Sequence, residues 1–309
     1  MLSGSHFPLT LSEGLKGGLT RRVQSIFNDA GRGERPIERS GNALFQPNSV
    51  IWRVHGDVTT MMVGGVTALL LQMLHPAALS GVWDHSAFRN DMQGRLRRTA
   101  RFIAVTTYGE RHEAEGAIAR VRAVHEHVQG ALKDGTPYRA SDPALLAWVH
   151  VCEAKAFLDA WIAFAEPDMP VADQDTYFAQ HAVIARALGA DPVPETRSDA
   201  ETLIESIRDE LEAGSATRTV ARMVLRQPPP SLAMAPVQAV VMQAAVDLLP
   251  KWAKDLHGPL TVPLPGTMVR AGTFGIARTL RWAFGQQPRS RIADELSILV
   301  RILQSRRSS

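Results

Sequence analysis

Histidines at helical core positions are the residues of this sequence best suited to bind a metal. His125 is predicted to face the core because it shares a 3-4-3-4 spacing with four apolar residues, Ile118, Val121, Val128 and Leu132. The same spacing turns His127 to the opposite face. A neutral imidazole on an apolar helix face is either a hydrogen-bonded core residue or a metal ligand, and haem iron is commonly held by such a histidine. Both interpretations remain open from the spacing alone.

An arginine-rich helix precedes this histidine helix. Its predicted inward stripe places Thr99 towards the core together with Met92, Leu96, Ile103 and Thr106. Arg95 lies beside this stripe and Arg98 at its edge, while Arg97 and Arg101 point away. An unpaired buried guanidinium is costly. We therefore expect Arg95 to have an anionic partner, which is either a carboxylate on a neighbouring helix or an anionic group of a ligand, such as a haem propionate.

Three other histidines are weaker candidates. His150 and Glu153 lie three residues apart on one predicted helix and could share a metal ion, although the repeated Glu-x-x-His pattern of di-iron carboxylate proteins is absent. His75 precedes a proline, and His85 follows Asp84 in a predicted turn, so either histidine could simply cap backbone groups. The sequence contains no hydrolase nucleophile elbow, phosphate-binding loop or His-Glu-x-x-His motif.

The composition is that of a globular protein with no bias towards nucleic acid. The 309 residues are 45% apolar and 21% charged, and the formal net charge is only +3. We expect a loosely ordered arm over residues 1–47 and a single domain over 48–309. The only cysteine, Cys152, falls at core spacing and indicates a reducing compartment. Without a signal-peptide pattern or a spanning apolar run, a cytoplasmic location is expected, with peripheral membrane contact left open.

Apolar periodicity predicts an all-α fold. Strand-like alternation is scarce, and no Asn-Gly or Asp-Gly pair separates two alternating runs. Pro76 is expected to break or restart a helix, and Asp142-Pro143 to begin one. The predicted helices are 15–30, 50–74, 91–106, 113–132, 143–165, 173–188, 198–213, a short piece before Gln227, 237–254, 268–284 and 291–304.

An ordered set of motifs carries a family resemblance over residues 50–285. The motifs are Gly64-Gly65 through His75-Pro76, Asp84-His85-Ser86-Ala87-Phe88, Arg95-Leu96-Arg97-Arg98-Thr99, Val121-Arg122-Ala123-Val124-His125 and Asp142 through His150. The chain resembles bacterial members of the family that includes the latex-clearing rubber oxygenases and the fungal oxygenase that shortens the prenyl chain in mycophenolic acid synthesis. This resemblance implies a globin-like helical domain with b-type haem, which oxidises an isoprenoid or lipid-like substrate with O2.

The resemblance also implies roles for particular residues. His125 matches the proximal histidine and would be the metal ligand. Arg95 and Thr99 match residues near the haem, and Arg122 and His75, in the same motif set, are predicted to contact the cofactor. Arg98, Thr99 and His85 are the predicted catalytic residues.

Two departures separate this chain from the rubber-cleaving enzymes. Arg98 stands where they carry a lysine over the distal face, and arginine has no lone pair with which to ligate iron. Their distal glutamate also has no counterpart, because residues 58–109 contain no glutamate. Rubber cleavage is therefore not expected, and Asp84 or His85 would supply any acid–base function. The alternatives are a non-catalytic protein that binds haem or another apolar ligand and, less favoured, a non-haem metal enzyme using His150 and Glu153.

Overall fold

The computed structural model describes residues 37–86, 91–229, 231–260 and 266–283 and confirms an all-α fold. Its helices are α1 (Val50–Val54), α2 (Val58–Gln72), α3 (Pro76–His85), α4 (Met92–Tyr108), α5 (Arg111–His127), α6 (Pro143–Phe164), α7 (Val171–Leu188), α8 (Arg197–Ile207), α9 (Ser215–Leu225), α10 (Ala235–Leu248), α11 (Lys251–His257) and α12 (Gly266–Ala283). Short 3-10 turns cover Arg208–Glu210 and Leu232–Met234. The predicted helices at 15–30 and 291–304 lie outside the described residues.

Helices α2 and α6 form the centre of the core. Helix α6 begins as predicted, because the Asp142 carboxylate accepts hydrogen bonds from the backbone N–H groups of Ala144 at 2.9 Å and Leu145 at 3.1 Å, and Pro143 occupies the first turn. The two helices approach most closely at Gly64, where an added Cβ would lie 2.9 Å from the backbone oxygen of Ala156. This contact needs a residue without a side chain.

The segment predicted as one helix over residues 50–74 consists of two helices. Asp57 interrupts it and caps α2 by accepting a 2.9 Å hydrogen bond from the backbone N–H of Thr60. At the other end of α2, His75 and Pro76 start α3, whose axis is bent by 105° from that of α2. We call this bend the α2–α3 elbow. In the described ranges no single helix is long and apolar enough to cross a membrane, although α2 and α3 together pass that test by length and composition.

The predicted end of the histidine helix was wrong. Helix α5 stops at His127 instead of continuing to Leu132, because Val128 adopts an extended conformation (φ −96°, ψ 100°). An antiparallel hairpin follows, with β1 (Gln129–Ala131) paired to β2 (Pro137–Arg139). Gly135 takes a φ of 88° in the turn, a conformation that favours glycine. The hairpin brings Tyr138 into the core, where the residue is 5% exposed.

Two further boundaries were also corrected. The helix predicted over residues 237–254 is divided into α10 and α11 by Pro250, and the one predicted over 198–213 ends at Ile207 before a 3-10 turn. At the start of the described chain, Ala43 and Phe45 are buried in the main core, so the last residues of the predicted arm pack against the helices.

Candidate cofactor cavity

A largely apolar cavity opens between the ends of several helices. It contains about 1170 Å³ of space, including its open mouth. The polar residues on its wall are Gln72, His85, Ser86, Arg95 and His125. Its apolar wall comes from both sides of the α2–α3 elbow, the first turn of α4, the ends of α5 and α6, and α9, including Leu69, Met73, Val82, Met92, Leu96, Val128, Leu145, Val149, Val220 and Val224. Among the described residues, no acidic side chain lines this cavity.

His125 lies on the cavity wall in the last turn of α5, facing inward as its spacing predicted. Its Nδ1 atom is buried and has no hydrogen-bond partner among the described residues. Burial lowers the pKa of His125, the Arg95 guanidinium lowers it further, and the neighbouring Glu126 partly opposes both effects. His127 is exposed, and its Nδ1 contacts the backbone oxygen of Ala123 at 2.7 Å. The ring of His125 is therefore neutral at pH 7 and available to a ligand.

Arg95 is the cationic residue on the cavity wall. It is half-buried, and burial lowers the pKa of its guanidinium, with a smaller contribution from Arg98. The neighbouring-helix carboxylate that was one predicted partner is absent from the described residues, where no acidic group forms an ion pair with Arg95. The remaining predicted partner, an anionic group of a ligand, would satisfy the guanidinium from inside the cavity.

The predicted inward orientation of Thr99 was wrong, because Thr99 is exposed. The stripe on which it was placed faces the cavity only in the first turn of α4, through Met92 and Leu96. Farther along the same stripe, Ile103 packs against the core and Thr106 is buried, so the stripe faces the protein at both of its ends. Thr99, between these two ends of the stripe, is the residue that meets solvent.

Three other arginines also depart from their predicted positions. Arg98 is exposed and pairs with Asp91, the N-cap of α4, at 3.4 Å, so it does not line the cavity. Arg97, predicted to point away from the protein, is half-buried. Arg122 is exposed on α5 and is likewise not on the cavity wall.

His75 caps a helix, which was the simpler of its two interpretations. Its Nδ1 accepts a 3.2 Å hydrogen bond from the backbone N–H of Ala77, and its Nε2 lies 3.7 Å from Glu210. The residue fixes the α2–α3 elbow rather than lining the cavity.

His85 and Asp84, the two candidates for acid–base work, take different places. His85 lies at the cavity and is exposed. Asp84 accepts a 3.0 Å hydrogen bond from the hydroxyl of Tyr138, and burial together with this carboxylate raises the pKa of Tyr138 to about 12. Asp84 therefore holds the hairpin, and His85 is the one of the pair that lies on the cavity wall. Tyr138 was not predicted, because the first strand of its hairpin was assigned to the preceding helix.

A second polar cluster lies between α6 and α7. The ligand atoms of His150, Glu153 and His181 lie within 4.8 Å of one another. Burial lowers the pKa of each histidine to about 3 and raises the pKa of Glu153 to about 7. The pairing of His150 with Glu153 was predicted from their spacing, whereas His181 was not predicted. Its signal was present, since His181 continues the apolar spacing of Tyr177, Ile184 and Leu188 on α7.

Comparison with known families gives this arrangement a context. The family model described as the catalytic domain of ER-bound oxygenase mpaB/B'/rubber oxygenase matches residues 52–282. The chain belongs to this family. The match runs from α1 to α12, so this oxygenase domain includes the cavity and the His150 cluster. The resemblance inferred from the ordered motifs is confirmed. No curated protein and no solved structure shows a significant match to the chain.

Proposed function

We propose that this protein is a haem-dependent oxygenase that acts on an apolar, isoprenoid or lipid-like substrate. The observation that carries the proposal is His125, a neutral imidazole on the wall of an apolar cavity. Its buried Nδ1 has no hydrogen-bond partner in the part of the chain that the structure describes. In a family of oxygenases, this is the side chain with the chemistry of a haem ligand.

The cavity residues fit a haem in three respects. The wall is mainly aliphatic, which suits the porphyrin faces and excludes water. Arg95 supplies a cation without an ion-pair partner in the described chain, as a propionate requires. His125 supplies the neutral nitrogen donor. His125 and Arg95 would hold the group, and a bound haem would supply the redox chemistry with O2 that an oxygenase needs.

The chain's own contribution is orientation and control of water. Aliphatic side chains at the α2–α3 elbow and on α9 would align a hydrocarbon chain without hydrogen bonds. His85 is the exposed imidazole on the wall and would serve as the general acid or base, because the described lining offers no carboxylate. The absence of a carboxylate there distinguishes this site from that expected of the rubber-cleaving relatives.

A haem titration tests the proposal. We expect the purified full-length protein to bind one haem per chain with a Soret band characteristic of histidine ligation. The variant His125→Ala should lose or shift that band. The matched control is His127→Ala, two residues away on the exposed face, which should leave the band unchanged. A folded wild-type protein without a Soret band would overturn the proposal.

Catalysis needs a second measurement. With haem bound and a reductant supplied, we expect consumption of O2 that depends on an added prenyl or lipid-like substrate. A normal Soret band with no substrate-dependent O2 consumption across such substrates would instead identify a non-catalytic haem-binding protein.

A further inference from the structure

The cluster of His150, Glu153 and His181 is distinct from the cavity wall. His150 directly follows the cavity residue Val149 on α6 but is not part of the cavity wall, Glu153 lies one turn farther along, and His181 reaches them from α7. His125 is the cavity residue that is coupled electrostatically to the cluster, because protonation of its ring would lower the pKa of His150. Two imidazoles and one carboxylate thus meet behind the cavity.

Polar groups of the cluster lack hydrogen-bond or ion-pair partners among the described residues. The Nδ1 atom of His150 is buried, and no residue in the described ranges hydrogen-bonds it. No described cation or hydrogen-bond donor pairs with the carboxylate of Glu153, which is half-buried. Buried charges are normally paired or coordinate a metal. A cation among these three groups would neutralise the carboxylate and occupy the lone pairs of the imidazoles.

The neighbouring His55 shows how the same region satisfies a structural histidine. Its Nδ1 contacts the hydroxyl of Thr107 at 2.9 Å, and its Nε2 contacts the hydroxyl of Tyr177 at 3.0 Å. Both ring nitrogens of His55 are thereby used. The ring of His181 lies only 6.2 Å from that of His55, yet no described group hydrogen-bonds it in the same way. His55 is therefore a structural residue, whereas His181 keeps a ring nitrogen with which it can bind a metal ion.

We propose that His150, Glu153 and His181 bind one divalent transition-metal ion, iron(II), manganese(II) or zinc(II), at a site separate from the haem cavity. Mixed imidazole and carboxylate donors suit these ions, and three protein ligands leave coordination positions open. Ligand atoms around such an ion lie about 3–3.5 Å apart for bonds of about 2.1 Å. The three groups, within 4.8 Å of one another, reach that spacing by small side-chain rotations. The proposal is independent of haem binding.

Cobalt(II) provides a spectroscopic probe for the site. The full-length protein, stripped with a chelator, is titrated with cobalt(II) while the visible absorption of the ion is recorded. We expect one ion per chain, with the stronger absorption of a site of low coordination number. Glu153→Gln and His181→Ala should each weaken binding at least about 100-fold, since even residues that only orient metal ligands contribute about 10–100-fold. Exposed Glu115→Gln and His127→Ala are the matched controls and should bind cobalt(II) like the wild type.

Thermal unfolding shows whether a variant loses metal binding only because it fails to fold. Glu153→Gln keeps the shape of the side chain and removes an unpaired carboxylate, so without metal it should unfold at or above the wild-type temperature. Cobalt(II) should raise the unfolding temperature of the wild type and leave that of the variant unchanged. Absence of stoichiometric uptake by the wild type, or uptake that survives Glu153→Gln, overturns the proposal. The Soret band of Glu153→Gln after haem addition is read separately, so failure of one site is distinguishable from failure of the other.

Discussion

Arg95 and Arg98 are three residues apart on α4 and have opposite surroundings. Arg95 is half-buried on the cavity wall, whereas Arg98 is exposed and paired with Asp91. We expect Arg95→Gln to weaken haem binding by about 1.5–3 kcal/mol, the value of a charge-assisted hydrogen bond. Arg98→Gln should change it by less than about 0.5 kcal/mol, because exposed pairs contribute little.

Equilibrium haem titrations of the two variants under the same conditions measure this difference. Equal losses in both variants would show that the arginine motif acts through its overall charge, and a loss only in Arg98→Gln would place the anionic groups of the cofactor outside the cavity.

Periodicity predicted the direction of a side chain better than its burial. It separated His125 from His127 correctly, because a helix of known phase fixes which residues share a face. It failed for Thr99, since burial also requires another element to cover that face, and the covering elements come from distant parts of the chain. His181 was missed because its partners, His150 and Glu153, are on a different helix and no local pattern joins them.

Two adjacent glycines in α2 provide a matched test of the helix contact. A Cβ at Gly64 would lie 2.8 Å from Cδ1 of Phe157 and 2.9 Å from the backbone oxygen of Ala156, whereas at Gly65 it would meet only Cε1 of Phe157 at 3.7 Å. Gly64→Ala should therefore lower the free energy of unfolding by about 1–3 kcal/mol or more. Gly65→Ala should leave it unchanged or raise it by up to about 1 kcal/mol, because alanine favours the helix.

Chemical denaturation of the two variants beside the wild type measures the difference. If Gly64→Ala were as stable as Gly65→Ala, the backbones of α2 and α6 would be farther apart than described.

Most helices were predictable because their signals are local. Asp142-Pro143 specified the start of α6, and His75-Pro76 the start of α3. The hairpin after α5 was not predictable from alternation, since β1 has three exposed residues and β2 owes its burial to Tyr138 alone. Pairing of β1 with β2, and the bond from Tyr138 to Asp84, stabilise strands that are too short to show a pattern.

The whole molecule should lose stability in mild acid, partly through His257 on α11. Its Nε2 donates to the backbone oxygen of Leu70 at 2.8 Å, and its Nδ1 is buried with no partner among the residues that the structure describes. Protonation would therefore bury an unsatisfied N–H. Burial accordingly lowers the pKa of His257 below its ordinary 6.5, although the bond to Leu70 opposes the effect. As the pH falls below 6.5, the unfolded state binds more protons than the folded state does. The free energy of unfolding therefore falls with the pH.

The variant His257→Gln tests this assignment, because its amide can still donate to Leu70 and has no proton to gain. We expect a shallower fall in the free energy of unfolding between pH 7 and about pH 5 than in the wild type. Replacement of His112, which is exposed on α5, by glutamine should leave the slope unchanged. Identical slopes in all three proteins would mean that His257 takes up a proton in the folded state without cost.

The glycine contact between α2 and α6 has a mechanical consequence for the cavity. Two helices whose backbones are in contact cannot move closer together, so α2 and α6 form a rigid side of the cavity. When a ligand enters, the elements that move must be those of the remaining wall, namely α3, α4, the end of α5 and α9. The angle between α2 and α3 should then depend on the size of the bound ligand, and the elbow should open further for a bulky chain than for a slender one.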